Sequence, residues 1–126
     1  MGIVGHGIDV VEVSFFRRLD EEYPHDALKV YFRPSEIEHA GEGPHRAERL
    51  AGRYAAKEAV LKALGTGWID GIAWTDIEII ALPSGAPQVV LHATCACLAE
   101  ERGITTWLVS ISHIEYVAMA SVIALD

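Results

Sequence analysis

Residues 2–13 alternate between two faces, which is the pattern of a β-strand. In this stretch, GIVGHGIDVVEV, one face carries Val4, His6, Ile8 and Val10. The opposite face carries Ile3, Gly5, Gly7 and Asp9. Two glycines beside Asp9 would leave room for a ligand. A carboxylate on such a strand must be paired, solvated or metal-bound, because burying it alone is costly. Taken by itself, Asp9 is better explained as capping the turn after the strand.

Helical patterns follow the first strand. Ser14 is placed to N-cap a short helix, FFRRLDEEY, which Pro24 ends. A second helix is expected to begin at Pro34 or Ser35 and to end at the glycines that follow.

The longest helical pattern runs from about Pro44 to Leu64. Gly65 is placed to end it, since glycine readily adopts the left-handed conformation of a helix C-terminus. Besides its alanines, the apolar stripe of this helix consists of Leu50, Tyr54, Leu61 and Leu64.

The second half of the chain is mainly strand. Four segments have strand patterns: WTDIEIIAL, QVVLH, TTWLVSISH and EYVAMASVIAL. PSGAP forms the turn of a hairpin between the first two, and ATCACLAEERG predicts a short helix ending at Gly103. The last two strands are expected to form an antiparallel pair.

These elements predict an α+β (α/β) fold in which one long helix packs on a mostly antiparallel sheet. Because the chain has 126 residues and shows no repeat or linker, residues 1–126 are expected to form a single domain. Its 51% apolar content argues against disorder, and the surplus favours burial of some surface against another subunit.

A formal net charge of -8 argues against non-specific binding of nucleic acid or an anionic membrane, since both require a cationic surface. The sequence shows neither a secretory signal pattern nor an apolar run long enough for a bilayer. Cys95 and Cys97 lie two apart in the predicted helix, so they point to different sides and suit neither a disulfide nor a metal pair. A cytosolic, cytoplasmic domain is expected.

The long helix is also rich in charge. Glu58 and Lys62 are four residues apart, in the favourable order for an ion pair on one helix face. Arg49, Arg53 and Lys57 form a second stripe at the same spacing, a pattern that usually marks a solvated face. The sequence alone does not link either stripe to Asp9.

The position of these charges favours a ligand site. The helix ends in LGTG, where small residues allow backbone to approach a ligand closely. Two carboxylates, several cations and this turn have the composition of a site for a divalent cation and a polyphosphate, because Mg²⁺ typically binds one or two carboxylates, phosphate oxygens and water.

Ser110 and Ser112 share one face of the predicted strand that His113 ends. They could line a polar site, with His113 donating to a phosphate, although a histidine at a strand end is more often simply exposed. The sequence has neither a Gly-x-Ser-x-Gly elbow nor a Walker motif. The remaining histidines show no metal-ligand spacing and are interpreted as structural or surface residues: His6, His25, His39, His45 and His92.

Taken together, these stretches resemble the bacterial holo-acyl-carrier-protein synthases, the short class of 4'-phosphopantetheinyl transferases. The resemblance covers nearly the whole chain and rests on four motifs in the family's order: GIDVVEV at 7–13, RYAAKEAVLKALGTG at 53–67, SGAP before QVVLH, and SISH at 110–113. It implies the family fold. It also supplies the link between Asp9 and Glu58 that periodicity does not.

The resemblance implies Mg²⁺-dependent transfer of 4'-phosphopantetheine from coenzyme A to a serine of apo acyl carrier protein, in fatty-acid biosynthesis. By match to the motifs, Asp9 and Glu58 are the Mg²⁺ ligands, and Glu58 and Lys62 are the catalytic residues. Lys62 would stabilise developing charge at the pyrophosphate. Glu58, directly or through a metal-bound water, would accept the serine proton. The coenzyme A contacts implied by the match are Arg53, Lys62, Gly65, Thr66, Gly67, Ser112 and His113.

The resemblance further implies a homotrimer with each site between two subunits. Arg17 and Arg18 match the helix that docks the acidic carrier protein. Asp20 and its two glutamate neighbours make that helix less basic than in many members, which bears on how strongly the carrier is held. Ile114 stands where members often have Thr or Ser, so one hydroxyl contact to the nucleotide phosphate is expected to be missing.

Two other activities use similar residues. The first is a catalytically silent trimer that only binds coenzyme A, which would not need Asp9, Glu58 and Lys62 together. The second is a Mg²⁺-dependent coenzyme A pyrophosphohydrolase, which would release free phosphopantetheine in the absence of any carrier protein.

Overall fold

The computed structural model describes residues 2–23 and 26–126. Its helices are α1 (Val13–Glu22), α2 (Leu28–Tyr31), α3 (Pro34–Ala40), α4 (Arg46–Leu64) and α5 (Ala93–Glu101). Its strands are β1 (Ile3–Glu12), β2 (Ile77–Ala81), β3 (Pro87–Leu91), β4 (Thr106–His113) and β5 (Val117–Leu125). A single 3₁₀ turn, Trp74–Asp76, precedes β2.

All strand pairs in this part of the chain are antiparallel, as the sequence predicts. One sheet has the order β1-β5-β4, and β2 and β3 form a separate hairpin. The long helix α4 packs across the three-stranded sheet and also contacts β2. The predicted fold class, one long helix on antiparallel strands, is therefore confirmed.

Helix α4 ends where the sequence predicts. Gly65 has a φ of 81°, in the left-handed region, and its amide donates to the carbonyls of Leu61 and Lys62. The start differs slightly from expectation, because helical geometry begins at Arg46 rather than at Pro44. Pro34 is the first residue of α3, as predicted for a proline at a helix start.

The predicted cap of α1 is wrong. The helix begins at Val13, directly after β1, so Ser14 lies inside its first turn and caps nothing. The Val13 amide instead donates to the carbonyl of Tyr116 in the β4–β5 turn, at 3.0 Å. Tertiary contact thus satisfies one of the free amides at the start of the helix, where the sequence predicted a side-chain cap. Pro24, predicted to end this helix, lies outside the described residues.

The glycines of β1 serve packing rather than ligand access, contrary to the interpretation from sequence. A Cβ on Gly7 would overlap the carbonyl oxygen of Ala59, and one on Gly5 would overlap that of Ala63. Two strand residues span about 6.7 Å and four helix residues about 6 Å, so the two glycines match one turn of α4. This close approach sets the register that brings Asp9, two residues further along, to the same helix.

The second charged stripe of α4 is not a solvated face. Lys57 is completely buried, and its ammonium donates to Glu36 at 2.7 Å and to the carbonyls of Tyr31 and Trp74. Glu36 is also buried and accepts from the Ile79 amide. Burial lowers the pKa of Lys57, and the carboxylate of Glu36 opposes that shift. This ion pair joins α3, β2 and the 3₁₀ turn to α4.

The face of the three-stranded sheet that points away from α4 carries exposed apolar side chains. Ile8 and Val10 on β1 are 48% and 60% exposed, and Leu108 on β4 is 51% exposed. Cys95 is buried and Cys97 exposed, so the cysteines point to different sides of α5 as predicted. Among the described helices, none combines the length and apolarity that crossing a bilayer requires.

Candidate functional site

Asp9 meets the C-terminal half of α4. Its Oδ1 lies 3.1 Å from Nζ of Lys62, which also donates to the Ile8 carbonyl at 2.8 Å. The Asp9 side chain is only 10% exposed, whereas that of Lys62 is 53% exposed. Lys62 was expected to pair with Glu58 along the helix; in the described structure its ion pair is with Asp9 instead. The lysine thus offers its remaining donor capacity to solvent beside a buried carboxylate.

The carboxyl groups of Asp9 and Glu58 are neighbours. Burial, and then the nearby Asp9 carboxylate, raises the pKa of Glu58, while the hydroxyl of Tyr54 opposes that shift by donating to Glu58 at 2.6 Å. Oδ2 of Asp9 is buried and has no hydrogen-bond partner in the part of the chain described. Two adjacent carboxylates with an unpaired buried oxygen form a site that a cation would complete.

The Gly65-Thr66-Gly67 turn adjoins this group. Gly67 has a φ of 59°, in the left-handed region, and a Cβ there would meet no protein atom within 4 Å. Thr66 uses its hydroxyl to donate to the Gly67 carbonyl at 2.9 Å. A cleft of about 210 Å³ opens beside the turn, lined by Glu58, Leu61, Lys62, Gly67, Trp68 and Trp74.

A second cleft, of about 250 Å³, lies on another side of α4. Its polar lining is cationic or titratable: His39, Arg49, Arg53 and His113. Arg53 is 9% exposed, its Nε has no partner among the described groups, and burial lowers the pKa of its guanidinium. Nδ1 of His113 lies 3.7 Å from the buried carboxylate of Glu48. A buried guanidinium with unused donor capacity suits an anion.

Within one copy, the structure does not unite all the predicted site residues. Arg53 and Glu58 are five positions apart, which separates them by about 140° around the helix. Ser112 lies on the outer face of the sheet, beside Ser110, Met119 and Ser121 rather than in either cleft. The predicted residues therefore fall into one group around Asp9, a second around Arg53, and Ser112 apart from both.

Helix α1, the predicted docking helix, carries less uncompensated negative charge than its sequence indicates. Asp20 accepts from the Nε of Arg46 at 2.8 Å, so one of its three acidic charges is compensated by α4. Arg17 is half-buried and lines a cleft with Tyr116, whereas Arg18 is exposed. Ile114 is 66% exposed in the turn after β4.

Sequence reasoning missed several residues of the two clefts. Tyr54 was assigned to the apolar stripe, although its spacing of four from Glu58 could have indicated the hydrogen bond. His39 was interpreted as structural or surface, yet it lines the second cleft. No local signal placed Trp68 and Trp74 beside Glu58, because a folded loop brings them there.

The chain matches a known family over most of its length. Residues 5–118 match the sequence profile of the 4'-phosphopantetheinyl transferase superfamily. The chain therefore belongs to the 4'-phosphopantetheinyl transferase superfamily, and the fold and enzyme class implied by the motifs are confirmed.

Proteins named holo-[acyl-carrier-protein] synthase are among its similar relatives. The one from Solibacter usitatus is 40% identical over 96% of this chain and 97% of its own. The one from Gloeobacter violaceus is 43% identical over 92% of this chain and 88% of its own. The resemblance to holo-acyl-carrier-protein synthases is thus confirmed at the level of sequence.

Solved structures of such synthases share the fold. That from Neisseria meningitidis gives a TM-score of 0.86 at 29% identity, over 99% of this chain and 100% of that one. The structure from Helicobacter pylori, solved in complex with coenzyme A, gives a TM-score of 0.82 at 28% identity, over 95% of this chain and 99% of that one.

Proposed function

We propose that this chain transfers 4'-phosphopantetheine from coenzyme A to a serine of apo acyl carrier protein, releasing adenosine 3',5'-bisphosphate, in cytoplasmic fatty-acid biosynthesis. The observation that carries the proposal is the convergence of Asp9, Glu58 and Lys62 on one point beside a glycine turn. The Helicobacter pylori relative that binds coenzyme A has the same fold, which supports the donor. Residues 1–126 are proposed to form one transferase domain.

Mg²⁺ fits the residues present. Oδ2 of Asp9 is buried without a partner in the described chain, and the carboxyl of Glu58 lies beside it. Mg²⁺ binds few carboxylates and takes its remaining ligands from phosphate and water, so two carboxylates suffice for a site completed by substrate. Asp9 and Glu58 would hold the ion. When bound, it supplies charge neutralisation at the pyrophosphate.

The chain's own residues would then position the reacting groups and stabilise the charge that develops during transfer. The Lys62 ammonium, anchored by Asp9 and the Ile8 carbonyl, is held where charge develops as the phosphoanhydride bond breaks. The carrier serine attacks the phosphorus bearing pantetheine, and adenosine 3',5'-bisphosphate leaves. Glu58 is proposed to accept the serine proton, directly or through water, because it is the carboxylate that faces the open cleft.

The nucleotide is assigned to the second cleft. Arg53 and His113 line it together, and the unused donor of Arg53 suits the 3'-phosphate of coenzyme A. The Gly65–Gly67 turn would lie along the phosphate or pantetheine. Ser112, on the outer face of the sheet, is proposed as a further coenzyme A contact.

A homotrimer with sites between copies accounts for the separation of the two groups. Arg53 and Glu58 of one chain point in directions about 140° apart, so one coenzyme A molecule would meet Arg53 of one copy and Glu58 of another. The outer face of the sheet, with its exposed Ile8, Val10 and Leu108, supplies a surface for such contact. This assembly would bring Ser112 to a neighbouring copy as well.

Arg17 and Arg18 are proposed to dock the acidic carrier protein. The chain's net charge of -8 would oppose an acidic partner, so attraction must be local. The ion pair between Asp20 and Arg46 removes one negative charge from the docking helix. The cleft that Arg17 shares with Tyr116 extends this surface.

Intact-mass spectrometry of apo acyl carrier protein tests the proposal directly. After incubation with this protein, coenzyme A and Mg²⁺, the carrier should gain one phosphopantetheine, and EDTA should abolish the gain. Coenzyme A binding without any gain on several carriers would favour the silent binding module. Free phosphopantetheine formed without a carrier would favour the pyrophosphohydrolase.

A further inference from the structure

Two tryptophans form an apolar wall in the cleft that contains Glu58 and Lys62. The rings of Trp68 and Trp74 stack with centroids 4.5 Å apart and planes 25° apart. Trp74 is fixed from behind, since its ring also packs on Tyr54 at 4.9 Å. Trp68 is 52% exposed although it stacks on a fixed partner, so a large apolar surface faces the cleft.

The wall adjoins the residues proposed to handle the transferred phosphate. Glu58, Lys62 and Gly67 line the same cleft of about 210 Å³ as the two indoles. In a cleft of this size, a group bound on the wall would lie close to that phosphate. The position limits the occupant to the part of the donor next to its phosphorus.

The chemistry of coenzyme A provides such a group. The carbon bearing the two methyl groups of pantetheine is three bonds from the transferred phosphorus, through one oxygen and one methylene. It is the bulkiest apolar group in the donor outside the adenine, and it stays with the phosphate when the anhydride breaks. An indole face in a half-enclosed cleft suits a compact branched alkyl group.

We propose that Trp68, backed by Trp74, binds the dimethyl group of the pantetheine arm and so determines specificity for the arm rather than for the nucleotide. This inference rests on the proposed use of coenzyme A. It assigns to Trp68 a contact that lies within the cleft of Glu58 and Lys62, distinct from the cleft of Arg53 and His113.

Calorimetric titration with two ligands tests the assignment. Coenzyme A carries the arm, and adenosine 3',5'-bisphosphate lacks it. Trp68→Ala should raise the Kd of coenzyme A about tenfold, as expected for the loss of one good apolar contact, while changing that of the bisphosphate less than about twofold. Trp68→Phe should raise the Kd of coenzyme A by a smaller factor. Ile69→Ala is the matched control, because Ile69 is a neighbouring exposed apolar residue that does not line the cleft.

The other outcomes distinguish failure of the inference from failure of the proposed function. Equal losses of affinity for both ligands would mean that Trp68 contacts the nucleotide. No loss of affinity for either ligand would mean that Trp68 does not contact the donor. A raised KM for the carrier with unchanged coenzyme A binding would assign the wall to the carrier. Coenzyme A binding with the expected Trp68 pattern but no transfer would overturn only the proposed function. Failure of the unaltered protein to bind coenzyme A would overturn both.

Discussion

Nζ of Lys62 lies 3.1 Å from Oδ1 of Asp9, although 53 positions separate the two residues in the chain. The contact joins the middle of the first strand to the last turns of α4. It depends on the close packing of Gly5 and Gly7 against Ala63 and Ala59, which leaves no space between strand and helix. The geometry of the site therefore depends on this strand–helix packing. Substitutions can test the site residues and the packing separately.

Glu58→Gln should abolish transfer while weakening coenzyme A binding only modestly. The amide keeps the shape of the side chain and removes both its charge and its capacity to accept a proton, so we expect at least about a 100-fold fall in kcat. The measurement is carrier modification followed by intact mass. Glu101→Gln, on the exposed end of α5, is the control and should leave the rate unchanged. A normal rate for Glu58→Gln would refute the metal assignment.

Lys57 and Lys62 lie five residues apart on one helix, but substituting the first should mainly reduce stability and substituting the second should mainly reduce activity. Lys57→Met leaves the carboxylate of Glu36 buried without its cation, so unfolding in urea should show a loss of about 3–5 kcal/mol. Lys62→Met should cost less stability than Lys57→Met, because Lys62 is 53% exposed whereas Lys57 is completely buried, yet it should reduce transfer about 100-fold.

The double variant Glu36→Gln with Lys57→Met separates the buried charge from packing. Gln removes the buried charge and keeps one oxygen, which can accept from one of the two backbone amides that now donate to separate oxygens of Glu36. It should therefore recover part of the stability that Lys57→Met loses. A double variant that is as unstable as the sum of the two single changes would mean that the lysine acts through its hydrophobic stem rather than through the ion pair.

Gly7→Ala should destabilise the protein by at least about 2 kcal/mol, because the added methyl would overlap the Ala59 carbonyl oxygen. Gly2→Ala provides the comparison: its Cβ would have only the Asp126 carboxylate nearby, at 3.8 Å, and the change should stay within about 0.5 kcal/mol. Thermal unfolding measures both. Equal stability of the two variants would contradict the strand–helix packing described above.

Mixing two inactive variants tests whether copies share a site. Arg53→Ala and Glu58→Gln should each be inactive alone, and co-refolding them should restore activity. If each site takes Arg53 from one copy and Glu58 from another, random assortment gives about one quarter of the sites both unaltered residues. Mixing each variant with itself is the control. If the co-refolded mixture stayed inactive, the two residues would have to act on a substrate within a single copy.

The two cysteines should react at very different rates. Burial raises the pKa of the Cys95 thiol to about 11, whereas Cys97 is exposed. A disulfide reagent at pH 8 should therefore modify one thiol per chain rapidly and the second only on unfolding. Cys97→Ser should remove the fast phase.

The raised pKa of the Cys95 thiol also predicts that stability depends on pH. The folded state keeps the Cys95 proton to a higher pH than the unfolded state does, so its contribution to stability should be lost as the pH rises above about 9. Comparing the free energy of unfolding of the unaltered protein with that of Cys95→Ala across this range would reveal the difference. Identical pH profiles would contradict the assignment.

The local sequence determined most of the secondary structure. Alternation in β1, the apolar stripe of α4 and the glycine at position 65 are properties of neighbouring residues, and each predicted its element correctly. The cap of α1 was not predictable in this way. The helix begins at Val13, whose amide donates to the Tyr116 carbonyl about a hundred positions away, so Ser14 lies inside the first turn instead of capping it.

Charge patterns were the least reliable guide. The spacing of Arg49, Arg53 and Lys57 predicted one solvated face, yet Lys57 is buried with Glu36 and Arg53 lines a cleft. Spacing gives the side of a helix on which a residue lies. It does not give what packs against that side.

By itself, the sequence predicted the candidate site residues through the motifs around Asp9, Glu58 and Lys62, and it determined the elements that carry them. Only the tertiary structure decided that Lys62 pairs with Asp9, that the glycines of β1 accommodate the helix, and that two tryptophans stand beside the carboxylates. The physical reason is that element formation depends on neighbours within a few residues, whereas these contacts join residues that are distant along the chain and meet only when the core is packed.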